Sequence, residues 1–506
     1  MKVSSSSKKE PITKVNKLAE ENAKLKAENT RLRKAMSKER RKTKAMRKSR
    51  DNWKGKNKEK FNRIHGLKKK ITRIEKPKGH HYELNIISLC ILLRIAGGCS
   101  YRSIPRILKV LESCFEMGWD KIPCANTIEN WVSKTGLYQM KTGVERLKSK
   151  CDSMCLIVDE NLRLGNERML LMMLTPSEKV GGSALNYEDV EIIYMGGKKS
   201  WTGEKMEKEV KKIMEEQDAS ISYVLSDEDS KLKKFAKLLD RFHLPDIGHA
   251  IGNCLRKVFK KNEDYQKLIK TIGQFQSKSV NQTLTYLRPP KQRTKARFMN
   301  LKPLVKWSIT MFARFDELEE KEQLFFEQLA NHRTMLNTLN YCITWSEQIS
   351  TSLKKEGLNQ NTLKNFKSTL VDLKLQAKGN LCVEKSEQDD QKYHQDLIEK
   401  YVQYLEKYAE KYESFLGKKK KNYPVSSDVI ESIFGKHKNL VSTNGLVGTT
   451  ILDLELPVHC QTTKDIRRNV KVALEEISMT CLKDWQQTHS SDNQALRRKI
   501  FFKKRA

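Results

Sequence analysis

The sequence predicts an α/β domain interrupted by a large α-helical insertion and preceded by a basic coiled coil and a small helical domain. Three observations predict it. Short apolar runs alternate with amphipathic helical patterns between residues 153 and 250. Residues 251–425 read as almost wholly helical and rich in Lys and Glu. Residues 1–80 combine a heptad pattern with dense positive charge. At 506 residues the chain has room for several domains, each with its own core. The expected divisions are an arm at 1–80, a helix-turn-helix-like domain at 81–140, the first part of the α/β domain at 150–255, the insertion at 256–422, and a completing segment with a basic tail at 423–506.

The arm holds 29 Lys and Arg against 8 Asp and Glu, a net of +21 out of +36 for the whole chain. Val15, Asn22, Asn29 and Met36 fall at heptad a positions, and Leu18, Leu25 and Leu32 at d. Polar Asn at a favours two parallel strands in fixed register. Lys and Arg then dominate from Arg31 to Arg50, which suits a helix that grips phosphates. Lys76-Pro77-Lys78-Gly79 ends this helix.

Residues 84–97 (LNIISLCILLRIAG) predict a buried helix ending at Gly97-Gly98. Ser100 is placed to cap a second helix over 101–115, where Ile104, Ile107, Leu108 and Leu111 recur at helical spacing. A third helix over 122–136 carries the apolar stripe Ile128, Trp131 and Val132. This resembles a helix-turn-helix, with Asn126, Thr127, Asn130 and Lys134 as the exposed candidates for contact with DNA.

Strands are expected at 154–159, 168–175, 190–195 and 221–226, with a helix at 203–217 between the last two. A further helix follows Asp227, and RFHLPDIGHA (241–250) reads as a short strand running into a helix. Three hairpin-linked strands followed by parallel crossovers give the order β-β-β-α-β-α-β-α of a ribonuclease-H-like domain. Within the insertion, LRPPKQRTKARF (287–298) is a strongly basic loop that includes Lys291, Arg293, Lys295 and Arg297. Trp307 and Trp345 are expected in the insertion core.

A net charge of +36 implies a polyanionic partner, and nucleic acid is the first expectation. No apolar run approaches 20 residues and the first ten residues lack an apolar core, which argues against membrane insertion and secretion. The eleven cysteines have no regular spacing, so neither a disulfide framework nor structural zinc is expected. The glycine cluster at 196–205 has the wrong spacing for a phosphate loop, which excludes a P-loop ATPase.

Three carboxylates stand out. Asp159 ends the apolar run MCLIVDE, Asp227 ends ISYVLSD, and Glu431 lies in SSDVIESIFGKHK at a helix start. Such a set can converge on two Mg²⁺ ions, which prefer hard oxygen ligands and activate water for attack on a phosphodiester. Asp229 competes with Asp227 but is displaced from the strand end. Asp428 competes with Glu431 but fits a helix N-cap better. Glu160 alternates to the other face of its strand.

VDE at 158–160, LSDED at 225–229, DIGH at 246–249 and VIESIFGKHK at 429–438 resemble the motifs of DDE transposases of the ribonuclease-H-like superfamily. The resemblance spans roughly 150–460 and is strongest to the branch with a helical insertion before the last glutamate, as in Mutator-like and hAT-like elements and related insertion sequences. It implies Asp159, Asp227 and Glu431 as ligands of two Mg²⁺ ions, with Mn²⁺ as a substitute. Asp246 and His249 match the family's [C/D]xxH element, and Lys438 matches a DNA-contacting lysine seven residues after the glutamate. The activity implied is cleavage and strand transfer at the ends of a mobile element, on double-stranded DNA, by a homodimer or higher oligomer. The compartment expected is the cytoplasm, in association with the nucleoid, in a bacterium, or the nucleus in a eukaryote. The alternatives from other classes are a domesticated, non-catalytic DNA-binding protein and a structure-specific nuclease.

Overall fold

The computed structural model describes residues 10–71, 76–119, 121–164, 167–179, 181–281, 284–291, 297–380, 388–440, 448–490 and 494–503. The chain divides into two compact units, 1–75 and 76–506.

The described residues of the first unit form one helix, α1 (Glu10–Ile71), 62 residues long. Leu18, Leu25, Leu32 and Met36 are each more than half exposed along it. The same seven-residue spacing from Leu32 reaches Met46 and Trp53, which are also exposed. An apolar seam of this kind has no cover within its own helix.

The second unit opens with α2 (Leu84–Ile95), α3 (Ile104–Phe115) and α4 (Ala125–Lys148). Ser100 does not cap α3 directly; its hydroxyl accepts from the Ser103 amide in the turn before it. Ile87, Ile104, Leu108, Ile128 and Val132 form a small core that also takes Val458, Ile466 and Val470 from near the C-terminus. The helical domain is therefore not closed by local sequence. Nor does its third helix stop at 136. It runs 24 residues, and Gly136 lies so close to Leu454 that an added Cβ would sit 1.6 Å from the Leu454 carbonyl oxygen. Arg94 and Glu455 form a buried ion pair at 2.8 Å, and Tyr101 also donates to Glu455. The expected boundary near 140 is thus replaced by a continuous element shared between the small core and the sheet.

The sheet has five strands: β1 (Met154–Leu164), β2 (Glu167–Pro176), β3 (Glu191–Lys198), β4 (Ile221–Ser226) and β5 (Phe242–Pro245). Their order is β3-β2-β1-β4-β5. The first three are antiparallel hairpins, while β1, β4 and β5 run parallel. The helix α5 (Gly203–Gln217) connects β3 to β4, and α6 (Ser230–Leu238) connects β4 to β5. They cover one face through Met206, Val210, Leu232 and Phe235, packed against Leu156, Val158 and Val224.

The other face is covered by α7 (Ile247–Phe259) and the insertion. The insertion comprises α8 (Glu263–Lys278), α9 (Leu301–Ala313), α10 (Glu320–Phe326), α11 (Arg333–Glu356), α12 (Gln360–Asn380) and α13 (Gln388–Leu416). Trp307 donates to the Leu287 carbonyl and packs on Phe326, and Trp345 packs on Tyr341, so both serve the insertion's interior. The chain then returns through α14 (Asp428–Leu440), α15 (Glu455–His459), α16 (Thr463–Glu476), α17 (Met479–His489) and α18 (Gln494–Lys503). Among the described residues no helix is long and apolar enough to cross a membrane.

Candidate functional site

Strand alternation decides which way the first two carboxylates face. Cys155 and Ile157 of β1 and Tyr223 and Leu225 of β4 point into the core under α7, while Leu156, Val158 and Val224 point to the opposite side. β1 and β4 pair in parallel up to Ile157 and Leu225. Asp159 and Asp227 each lie two residues beyond that last pair, so by register they share the α7 face of neighbouring strands. Asp159 does not end its strand as the sequence suggested. β1 continues to Leu164 beside β2, with a register break between Asp159 and Leu162. What ends at this point is the pairing of β1 with β4. Glu160 falls on the other face, where it pairs with Lys231 of α6 at 2.5 Å and with Arg168 at 3.3 Å.

Asp246 sets the position of the third carboxylate. It follows β5 and caps α7, its Oδ1 accepting the His249 amide at 2.7 Å. Its Oδ2 accepts both the amide of Ser427 at 2.6 Å and the Ser427 hydroxyl at 3.1 Å. The Ile247 amide bonds the Val425 carbonyl at 3.0 Å, and Asp246's own amide bonds the Ser226 carbonyl at 2.9 Å. The end of β4, the start of α7 and the segment entering α14 are thus tied around one buried residue, Asp246, through its amide and its carboxylate. Ser427 occupies the position before α14, and Asp428 takes the first helical position rather than the cap.

One turn into α14, Glu431 meets His249 of α7, with Oε1 3.1 Å from Nε2. Burial pushes the His249 pKa down, but the hydrogen bond to Glu431 and the charges of Asp246, Asp227 and Glu431 together raise it to about 9. The imidazole is therefore charged at neutral pH. Glu431 is held below the usual carboxylate range by that same hydrogen bond, against its burial, with help from the charges of Lys354 and Lys438. Asp227 is pushed up by burial and by the neighbouring Asp229 and Asp246 carboxylates, with His249 opposing. Asp246 is likewise raised by burial and by Asp428, with His249 and the two amides opposing. The site thus gathers more negative charge than one imidazolium neutralises. Among the described residues, however, no three His, Cys, Asp or Glu side chains stand close enough to hold one metal ion as they are.

Lys438 is exposed on α14, near enough to act on Glu431. At the start of α4, Asn126 is exposed and Thr127 and Asn130 are half-buried. Lys134 departs from expectation. It is only 9% exposed, and burial holds its ammonium pKa below the ordinary value, because α4 is enclosed from Trp131 onward. It cannot belong to an exposed recognition surface. Lys291 is exposed, Arg293 and Lys295 lie outside the described residues, and Arg297 opens a short 3-10 turn, its side chain outside the description.

Two groups at the site carry no sequence signal that singled them out. His243 on β5 bonds the Ser226 hydroxyl at 2.9 Å and the Asp227 carbonyl at 3.2 Å. Burial and the nearby Lys411 push its pKa down to about 4, so it is neutral. Its spacing three residues before Asp246 was visible, but its partners were not. Lys354, from the last turn of α11, pairs with Asp428. Nothing marks one lysine among 98 Lys and Arg.

Comparison with protein-family models finds no match, and comparison with curated proteins finds none either.

Proposed function

We propose that this chain is a DNA transposase that cleaves and joins strands at a site built from Asp159, Asp227 and Glu431. The observation that carries the reading is that Asp159 and Asp227 lie just past the last pairing of two neighbouring parallel strands, on the side of α7, while the Asp246–Ser427 contacts bring α14, with Glu431, to α7 from the far end of the insertion. The strand order β3-β2-β1-β4-β5, with three antiparallel and two parallel additions, supports a ribonuclease-H-like reading of the α/β domain. So does the position of the insertion between the second and third carboxylates.

The donor set suits a hard divalent cation, since all three groups are carboxylates and Asp227 sits in an excess of negative charge. Mg²⁺, with Mn²⁺ as a substitute, would supply Lewis acidity and an activated oxygen nucleophile when bound. Asp159, Asp227 and Glu431 would hold it. Asp246 fixes the approach of α14, and the imidazolium of His249 balances the charge of Glu431. The net charge of +36 supports double-stranded DNA as the partner. The exposed seam Leu18–Leu25–Leu32–Met36 of α1, with Asn22 and Asn29 at a, supports a parallel homodimer.

The test is metal-dependent nicking and strand joining on DNA that flanks the gene. Asp159→Asn, Asp227→Asn and Glu431→Gln should each lower nicking by at least about a hundredfold, as loss of a group acting on charge in the transition state does, with DNA affinity near wild type. Full nicking by any one variant would remove that residue from the site. Nicking without joining would favour a structure-specific nuclease.

A further inference from the structure

The insertion does more than separate two carboxylates in sequence. Its helix α11 ends at Glu356, and that end is anchored from three directions. The ammonium of Lys179, in the loop after β2, bonds the carbonyls of Lys354 and Lys355. The Lys179 amide bonds the Asn422 carbonyl at 2.8 Å. Gly357 turns the chain at φ +77°, and Leu358 then pairs with Tyr423 through two backbone hydrogen bonds of 2.7 and 3.0 Å. The segment reached by these bonds is the one that leads into α14.

The consequence is that Lys354 is aimed at the candidate site. Its ammonium pairs with Asp428 and its charge acts on Glu431. Gly248 shows how close the groups lie. A Cβ there would stand 3.2 Å from Asp246 Oδ1, 3.7 Å from Asp428 Oδ1 and 3.9 Å from Lys354 Nζ. Asp246, Asp428 and Lys354 therefore converge on one point, on the first turn of α7, which bears His249. The Lys354 side chain is 25% exposed and Asp428 49%, so the pair opens to solvent and water can take over either partner's charge.

We infer that Lys354 is a substrate-binding residue: it exchanges Asp428 for a backbone phosphate of DNA entering beside Glu431. This rests on the reading of the site as one that acts on phosphodiesters. The chemistry is that of a mobile ammonium, which binds a phosphate oxygen as a point charge with no demand on its angle. An insertion anchored in this way brings a cation of its own to the site.

Two measurements on the full chain test it. In the first, a short duplex carrying azidophenacyl groups on phosphorothioates is photolysed with the protein without metal, and the crosslinked peptides are mapped by mass spectrometry. Crosslinks within 333–356 are expected, and fewer of them with Lys354→Gln. In the second, steady-state nicking with Mg²⁺ should show KM raised about tenfold by Lys354→Gln, a typical cost for losing one hydrogen bond to a charged group, with kcat within about twofold. Lys354→Arg should restore most of the loss, since it keeps the charge. No crosslink within 333–356 together with unchanged KM would overturn the inference, and a fall in melting temperature alone would show that Lys354 serves only the Asp428 pair. The crosslink arm needs no turnover. Crosslinks at 333–356 in a chain that never nicks DNA would therefore keep Lys354 as a phosphate contact and overturn the catalytic reading instead.

Discussion

Replacing His249 by glutamine removes the one imidazolium between Asp227, Asp246 and Glu431 without removing bulk. The wild-type pKa, raised from 6.5 to about 9, corresponds to about 3 kcal/mol at about 1.4 kcal/mol per tenfold change in proton affinity. The Glu431 side chain is 49% exposed and the His249 side chain 19%, so solvent screening reduces the net contribution to about 1–2 kcal/mol. The sign follows from proton linkage. Below pH 6.5 folded and unfolded histidine are both charged and the full contribution is present. Between 6.5 and 9 only the folded protein holds the proton, so stability falls as pH rises, and above about 9 nothing remains. The assay is the melting temperature of wild type and His249→Gln from pH 6 to 10, followed by scanning fluorimetry. Their difference should be roughly 1–2 °C at pH 6, given the unfolding entropy of a body this large, and should close by pH 10. Taking the difference cancels the titration of the many Lys, Cys and Tyr side chains common to both. Melting curves that stay parallel over the whole range would refute the argument that His249 is held charged by these carboxylates.

Asp246→Ala deletes a helix cap and leaves Ser427 without its buried acceptor; denaturant titration should show a loss of about 2–4 kcal/mol. Asp246→Asn, which keeps an acceptor oxygen for the cap, should lose less. Lys134→Ala should change melting temperature while leaving DNA affinity at fixed salt untouched, because the side chain is buried; a matching loss of affinity would show that α4 opens to expose it. Asn126→Ala, at the exposed start of α4, should instead cost about 1–3 kcal/mol on a terminal duplex and little on a scrambled one in competition titrations. Deleting residues 1–75 removes the exposed heptad seam. It should shift light-scattering mass from dimer to monomer and flatten the salt dependence of DNA binding, and an unchanged mass would show that α1 does not pair.

The order of elements is legible in the residues alone, because apolar period and turn residues are local properties. The strand run ending near Asp227, the helix beginning near Glu431 and the basic helix of the arm could all be read from spacing, whereas the end of the strand carrying Asp159 could not. The resemblance pointed to the same carboxylates. Tertiary structure decided what local pattern cannot encode. That β1 outruns Asp159 depends on β2, since a strand lasts as long as it has a partner. That α4 runs on past Gly136 and packs there against Leu454, more than 300 residues away, is a long-range matter, and so is the burial of Lys134. Most of all, a sequence shows which side chains can carry charge but not which charges meet. Electrostatic interaction falls with distance in space, and only the folded chain brings Lys354, Asp428, His249 and Glu431 within reach of one another.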